Sequence, residues 1–211
     1  MEIKKTPEII RTGDFIDENQ ILIRPLANSR DLFAVYRLTN EYYGSKGLSN
    51  IHPDGIWALN PEFDHIPQTT VLVAQLNGDL VGSISMTNDG LKGLTVDRQF
   101  GRTCALIRAE GKRTAEIWRL VTAGTPSQQM RISAELLSTA IRRLIEEKIQ
   151  TCLLSLHPDL VNLCQEKLDV VTLIGGQFTP TGGLFSLPMV LMRCNLEKVA
   201  KHLREKAKAS A

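Results

Sequence analysis

An α/β domain with a mixed sheet is what this sequence predicts, and three observations carry the prediction. The run Thr114-Ala115-Glu116-Ile117-Trp118-Arg119-Leu120-Val121-Thr122 reads as a strand, and the turn Ala123-Gly124-Thr125-Pro126 after it opens a long helical pattern. Residues 70–76 and 80–86, joined by Asn77-Gly78-Asp79, carry a strong hairpin signal. Strand and helix patterns otherwise follow one another along the chain, the pattern of a sheet layered with helices.

Taken in order, residues 1–19 carry charges throughout and read as a poorly fixed leader without the apolar centre of a signal peptide. A domain is expected over 20–195 and a basic helix or tail over 196–211. Residues 21–26 form the first expected strand, and Asn28 or Ser29 caps a helix bearing Leu32, Phe33, Val35, Tyr36 and Leu38. The long connection from 44 to 68 holds Ile56 and Trp57, and connections of this length usually form lids or contain short helices. After the hairpin, Asn88-Asp89-Gly90 ends the strand, and a short helix within 96–110 leads to the charged strand.

Alternation along that strand puts Glu116 and Trp118 on one face and Ile117, Arg119 and Val121 on the other. An acid and an arginine in an otherwise apolar strand are costly unless paired. In the following helix Thr125 is the N-cap, Pro126 takes the first position and Gln128 completes a capping box. Ile132, Leu136, Leu137, Ala140, Ile141, Leu144 and Ile145 form its apolar stripe. A buried strand at 152–156, a helix from 158 to about 168, a short strand at 170–173 and a last strand at 187–193 close the chain, with glycines 175, 176, 182 and 183 as punctuation.

Composition excludes several functions. A net charge of +2 supplies no general field for nucleic acid. The absence of any 18-residue apolar run argues against a membrane span, and with the charged N-terminus it leads to a cytoplasmic expectation. Cys104, Cys152, Cys164 and Cys194 lack the spacing of a zinc site or a disulfide framework, so no metal is expected and the thiols are read as reduced and mostly buried.

Six segments in order resemble the GNAT acyltransferase superfamily and, within it, the N-acyl amino acid synthases (the N-acyltyrosine type among them), which are related to acyl-homoserine-lactone synthases. They are Val35-Tyr36-Arg37-Leu38 with Tyr42-Tyr43; Glu62-Phe63-Asp64; Leu80-Val81-Gly82-Ser83; Asn88-Asp89-Gly90 with Gly93-Leu94; Glu116-Ile117-Trp118-Arg119-Leu120; and His157-Pro158. The resemblance spans roughly residues 20–195. It implies a GNAT-like fold, with a central mixed, mostly antiparallel sheet flanked by helices.

It also implies transfer of a medium or long fatty acyl group to the α-amine of an amino acid; the alternatives are acyl-homoserine-lactone synthesis, a conventional acetyl-CoA-dependent N-acetyltransferase and a non-catalytic acyl-binding domain. The donor would be an acyl-phosphopantetheine thioester, on an acyl carrier protein or coenzyme A, with no tightly bound cofactor. Glu116 is the candidate general base, directly or through a water; its alternative is a structural ion pair with Arg119 or Arg37. Arg119 either grips the acceptor carboxylate or pairs with Asp64, and Asp64 either binds the acceptor amine or caps its turn. Arg37, Tyr43, Trp118 and His157 are further acceptor-side candidates. On the donor side, backbone amides near Leu120 and Val121 would stabilise the oxyanion, and Gln128 and Arg131 would face the phosphate.

GNAT enzymes carry two glycines in a pyrophosphate-binding loop. Arg131 and Ser133 replace them here, which favours a single phosphate with Arg131 as its clamp. Thr39 and Asn40 also depart from the synthase pattern after Arg37. Met86, Met130, Leu184, Phe185, Met189 and Met192 are candidates for an acyl tunnel. Lys112, Arg113, Arg131 and the basic C-terminal run are candidates for contact with an acidic carrier protein.

Overall fold

The computed structural model describes residues 20–47, 52–158, 161–162, 165, 171–178 and 188–209. The leader, the helix expected from 158, Cys164, Leu184, Phe185 and glycines 182 and 183 lie wholly or mostly outside them. Among the described residues the strands are β1 (Leu22–Pro25), β2 (Thr69–Leu76), β3 (Asp79–Asn88), β4 (Thr114–Thr122), β5 (Thr151–Leu156), β6 (Val171–Phe178) and β7 (Met189–Asn195). The helices are α1 (Ser29–Ser45), α2 (Pro61–Asp64), α3 (Asp97–Ala109), α4 (Pro126–Glu146) and α5 (Leu196–Ala209).

The strands form one sheet in the order β1-β2-β3-β4-β5-β7-β6. β4 and β5 run parallel, with α4 as their crossover, and the other described pairs are antiparallel. Local chemistry explains the boundaries. Asn28 caps α1 by accepting the Asp31 amide. Asn77 and Gly78 take positive φ in the β2–β3 turn, the conformation that a tight two-residue hairpin demands. At the start of α4 the expected capping box is present: the Thr125 hydroxyl accepts the Gln128 amide, and Gln128 Oε1 accepts the Thr125 amide at 2.8 Å.

The two faces of the sheet are packed differently. Ile132, Leu136, Ala140 and Leu144 of α4 cover one face, against Leu72, Ile84, Met86, Ile117 and Met192, and Leu196 anchors α5 to the same core. On the opposite face there are two separate apolar clusters. One gathers Val35, Val71 and Val73 under α1, and the other joins Leu94, Val96, Phe100, Cys104 and Ile107 to Leu153 and Leu191 under α3. Between them β3 and β4 carry buried polar groups: Ser85, Thr87, Glu116 and Arg119.

Two expectations are corrected. The strand expected at 170–173 continues to Phe178, so Gly175 and Gly176 lie within it. A Cβ on Gly175 would meet the Leu191 Cβ at 2.7 Å and the Phe100 ring at 3.0 Å. That glycine serves close approach of α3 to the sheet, which a strand glycine permits as readily as a turn. The second correction concerns β4. Ser85 pairs with Trp118 but Ser83 with Val121, so Arg119 and Leu120 together oppose Ile84 in a β-bulge. Arg119 has φ of 49°, and the bulge reverses the side-chain alternation beyond it. Arg119 therefore joins Trp118 on the α1 side, while Leu120 packs against the α4 core.

Replacing Gly175 by Ala is expected to destabilise the fold by about 1–3 kcal/mol, the usual cost of overpacking. Gly176→Ala, where nothing lies within 4 Å of the added atom, should stay within about 0.5 kcal/mol. Urea denaturation of the two variants makes the comparison.

Candidate active site

The bulge brings Arg119 to Asp64 at the end of α2. Arg119 donates to both carboxylate oxygens, at 2.9 and 2.6 Å, and neither side chain has exposed surface. The same guanidinium donates to Ser85 Oγ at 2.8 Å and to the Leu59 carbonyl at 3.5 Å. It lies 4.6 Å from the Trp118 ring centroid and 5.8 Å from that of Tyr36. The Tyr36 hydroxyl donates to Asp64 at 2.8 Å. Of the two alternatives for Arg119, pairing with Asp64 is therefore realised, and a residue in a costly left-handed conformation is held by contacts from α1, α2 and β3.

Glu116 has a different environment. Its carboxylate is buried and accepts the Thr95 amide at 2.7 Å, the Thr95 hydroxyl at 2.5 Å and the Val96 amide at 3.4 Å. Neither Arg119 nor Arg37 pairs with it, so the ion-pair alternative is not realised. Burial pushes its carboxyl up to about 7, against the pull of the three hydrogen bonds.

The pairing of β4 with β5 runs from Thr114 to Ile117 against Thr151 to Leu154 and stops there. Beyond Ile117, β4 remains zipped to β3 as far as Thr122, while β5 continues to Leu156 beside β7. The two parallel strands part at Trp118, and the bulge lies within the parted stretch. Leu120 is half-buried there and Val121 fully buried, on opposite sides of the strand. A parted pair of strands leaves backbone groups free for a ligand.

The remaining candidates are placed as follows. Trp118 is buried, donates its indole N–H to Thr87 Oγ1 at 3.0 Å and packs edge-on against Phe63. Tyr43 packs edge-on against Trp57, with ring centroids 5.2 Å apart, and burial pushes its phenol up to about 12. His52 stacks on Trp57, with ring centroids 6.4 Å apart. His157 is half-buried just past the end of β5.

Arg37 is exposed on α1 and is not among the groups gathered around Asp64. Gln128 spends its side-chain oxygen on the helix cap, whereas Arg131 is exposed one turn further on. Met86 and Met192 belong to the α4 core, Met189 is half-buried, and Met130 is largely exposed. Lys112 and Arg113 precede β4 while Arg131 follows it, so nine strand residues, about 30 Å at ~3.3 Å each, separate them.

Sequence reasoning missed Thr95, Ser85 and Tyr36 as partners of the charged groups. Alternation along β3 was the available signal for Ser85, because it shares a face with Thr87. Thr95 carries no such signal, since it sits in a loop. Among the described residues, no group of three or more His, Cys, Asp or Glu side chains is placed to hold a metal. None of their helices is long and apolar enough to cross a membrane.

A family described as N-acyl amino acid synthase FeeM matches residues 34–195 by its sequence model. The chain belongs to that family. It is an acyltransferase on the GNAT fold, and the resemblance read from its six segments holds. Among curated protein sequences none matches. The structure of FeeM, an N-acyl amino acid synthase from uncultured soil microbes, is similar with a TM-score of 0.70 at 22% identity, over 84% of this chain and 92% of that one. The acyl-homoserine-lactone synthase LasI is similar with a TM-score of 0.59 at 12% identity, over 84% and 91%. The coenzyme A-dependent acyl-homoserine lactone synthase BjaI, solved with SAM and isopentyl-CoA, is similar with a TM-score of 0.61 at 13% identity, over 84% of each chain.

Asp64→Asn leaves a buried guanidinium short of its counter-charge and is expected to cost about 3–5 kcal/mol. Replacing both partners by apolar residues should cost clearly less than the sum of the single changes, which a double-mutant cycle by chemical denaturation would read. Glu116 supplies a pH prediction. Its folded-state value is above its unfolded one, so the native state binds the extra proton between about 4.5 and 7, and stability falls as pH rises through that window. In Glu116→Gln that part of the slope should vanish, as melting temperatures from pH 4.5 to 8 would record.

Proposed function

We propose that this acyltransferase moves a medium or long fatty acyl group from a phosphopantetheine thioester, carried by acyl carrier protein, to the α-amine of an amino acid. The observation that carries the reading is the position of Glu116, a buried carboxyl tuned near neutrality two residues before β4 parts from β5. A base of that strength is about half-ionised at neutral pH, where it takes a proton from the attacking amine effectively. Because the carboxylate is buried, it acts through a water.

The amine nitrogen attacks the thioester carbonyl, the C–N bond forms, and the amine proton passes to Glu116. The tetrahedral oxyanion receives hydrogen bonds from the backbone amides of Leu120 or Val121 in the parted stretch. The C–S bond then breaks, and the proton taken by Glu116 passes through the water to the leaving sulfur, so that the carrier departs as its thiol. Arg119 and Asp64 act together as a positioning pair that fixes the bulge, since their hydrogen-bonding groups are engaged with one another. Tyr43 and Trp118 line the acceptor side, with His157 at the strand end. Arg37, exposed as it is, takes a peripheral place.

The donor side rests on Arg131. Arg131, exposed in the second turn of α4, brings positive charge to the helix start, where a single phosphate would sit. Each buried methylene of the acyl chain contributes about 0.8 kcal/mol, so the depth of the apolar site sets chain preference.

Cells expressing the protein are expected to accumulate N-acyl amino acids, seen by mass spectrometry of lipid extracts, and cells expressing Glu116→Gln are not. Equal products from both would remove the base assignment, and no products from either would remove the synthase reading. Arg131→Glu should lower kcat/KM for a carrier-bound donor about tenfold or more, consistent with loss of a charge-assisted contact. Unchanged kinetics would exclude that role for Arg131.

A further inference from the structure

We propose that Arg108 is a positioning residue for the reaction, clamping the loop that presents Thr95 to Glu116 and neutralising the aspartates on either side of that loop. The inference rests on Glu116 as the base. Arg108 lies near the end of α3, three turns after Asp97. Its guanidinium donates to both oxygens of Asp89, at 2.6 and 2.8 Å, and to both oxygens of Asp97, at 2.8 and 2.6 Å. Asp89 follows directly on β3, and Asp97 begins α3. One side chain therefore ties together the two ends of residues 89–97.

The interior of that loop is equally constrained. Asp97 Oδ2 accepts the Leu94 amide at 2.7 Å, and Gly93 turns the chain with φ of 72°. A Cβ on Gly93 would come within 2.5 Å of Asp97 Oδ2, so the backbone is pressed against that carboxylate. The next two residues, Thr95 and Val96, give Glu116 its three hydrogen bonds. The clamp adds to the apolar packing of Leu94 and Val96 in holding these donors at the carboxylate.

Arg108 also sets the local charge. Asp97 and Cys104 lie on the α3 side with Glu116, whereas Cys152 of β5 belongs to the α4 core on the other face of the sheet. Burial alone would raise the Asp97 carboxyl, and Arg108 with the Leu94 amide holds it below its ordinary value. The negative charge of Asp97 favours the proton on Glu116, and the guanidinium offsets that charge.

Opposite signs distinguish this role from a merely structural one. In protein labelled with 13C at glutamate carboxyls, the Glu116 resonance is assigned by its loss in Glu116→Gln and titrated with pH. Arg108→Gln is expected to raise the midpoint by about half a unit or more, and Asp97→Asn to lower it. The acid limb of kcat/KM should move with each, so that a half-unit rise cuts the rate there about threefold. Arg193→Gln, which breaks an ion pair with Glu110, serves as the control and should leave both unchanged.

An unmoved midpoint in a folded Arg108→Gln protein, or equal shifts from the two opposed variants, overturns the proposal. Should Arg108→Gln not fold by circular dichroism, Arg108→Lys replaces it: it keeps the charge, cannot fork both aspartates, and should give a smaller rise. Full activity of Glu116→Gln would overturn the base assignment itself, whereas an inactive Glu116→Gln with an unmoved Arg108→Gln midpoint overturns the clamp alone.

Discussion

A guanidinium with no exposed surface has to be neutralised where it sits, and around Arg119 that requirement organises the site. Asp64 supplies the counter-charge, so α2 must lie against β4. Tyr36 and Ser85 add hydrogen bonds to the pair, which draws α1 and β3 into the same arrangement. The reward is a strand residue kept in the left-handed region, and with it the bulge. Since β4 parts from β5 at this point, the opening depends on an ion pair several side chains away from the place where a substrate would react.

The same sheet face holds two buried carboxyls with opposite solutions. Asp64 is matched by a cation. Glu116 receives only hydroxyl and amide donors, which stabilise charge less than a cation does, and burial leaves its carboxyl near neutrality. Such a pair of environments is the general means by which one site holds a permanent charge and an exchangeable proton side by side. The two apolar clusters under α1 and α3 keep water from the strip between them, and so preserve the difference.

Much of this was legible in the sequence because it rests on local rules. The capping box of α4, the Asn77-Gly78 hairpin and the order of elements follow from turn chemistry and periodicity. Glu116 and Arg119 stood out as charges in an apolar strand and Asp64 through the family resemblance, and all three side chains are buried. What escaped depends on register. Alternation assigned Arg119 to the face of Ile117, and a bulge of one residue reversed it, a displacement that no two-residue pattern contains. Gly175 and Gly176 read as turn residues because a glycine's use in close packing depends on what lies across from it, here Leu191 and Phe100. Arg108 and Thr95 act through a loop, where no periodicity exists to mark a side chain as inward.

The bulge can also be seen as a change of reading frame within a strand. Before it, odd-numbered residues of β4 belong to the α4 core; after it, Leu120 does, while Val121 faces the other way opposite Ser83. Loss of Leu120 would restore strict alternation and place the Arg119 guanidinium, opposite Ile84, among Ile132, Leu136 and their apolar neighbours. Substitutions can be absorbed one at a time, but the residue count between Glu116 and Thr122 cannot drift, because the shape of the opening and the side on which its charge lies are the same fact.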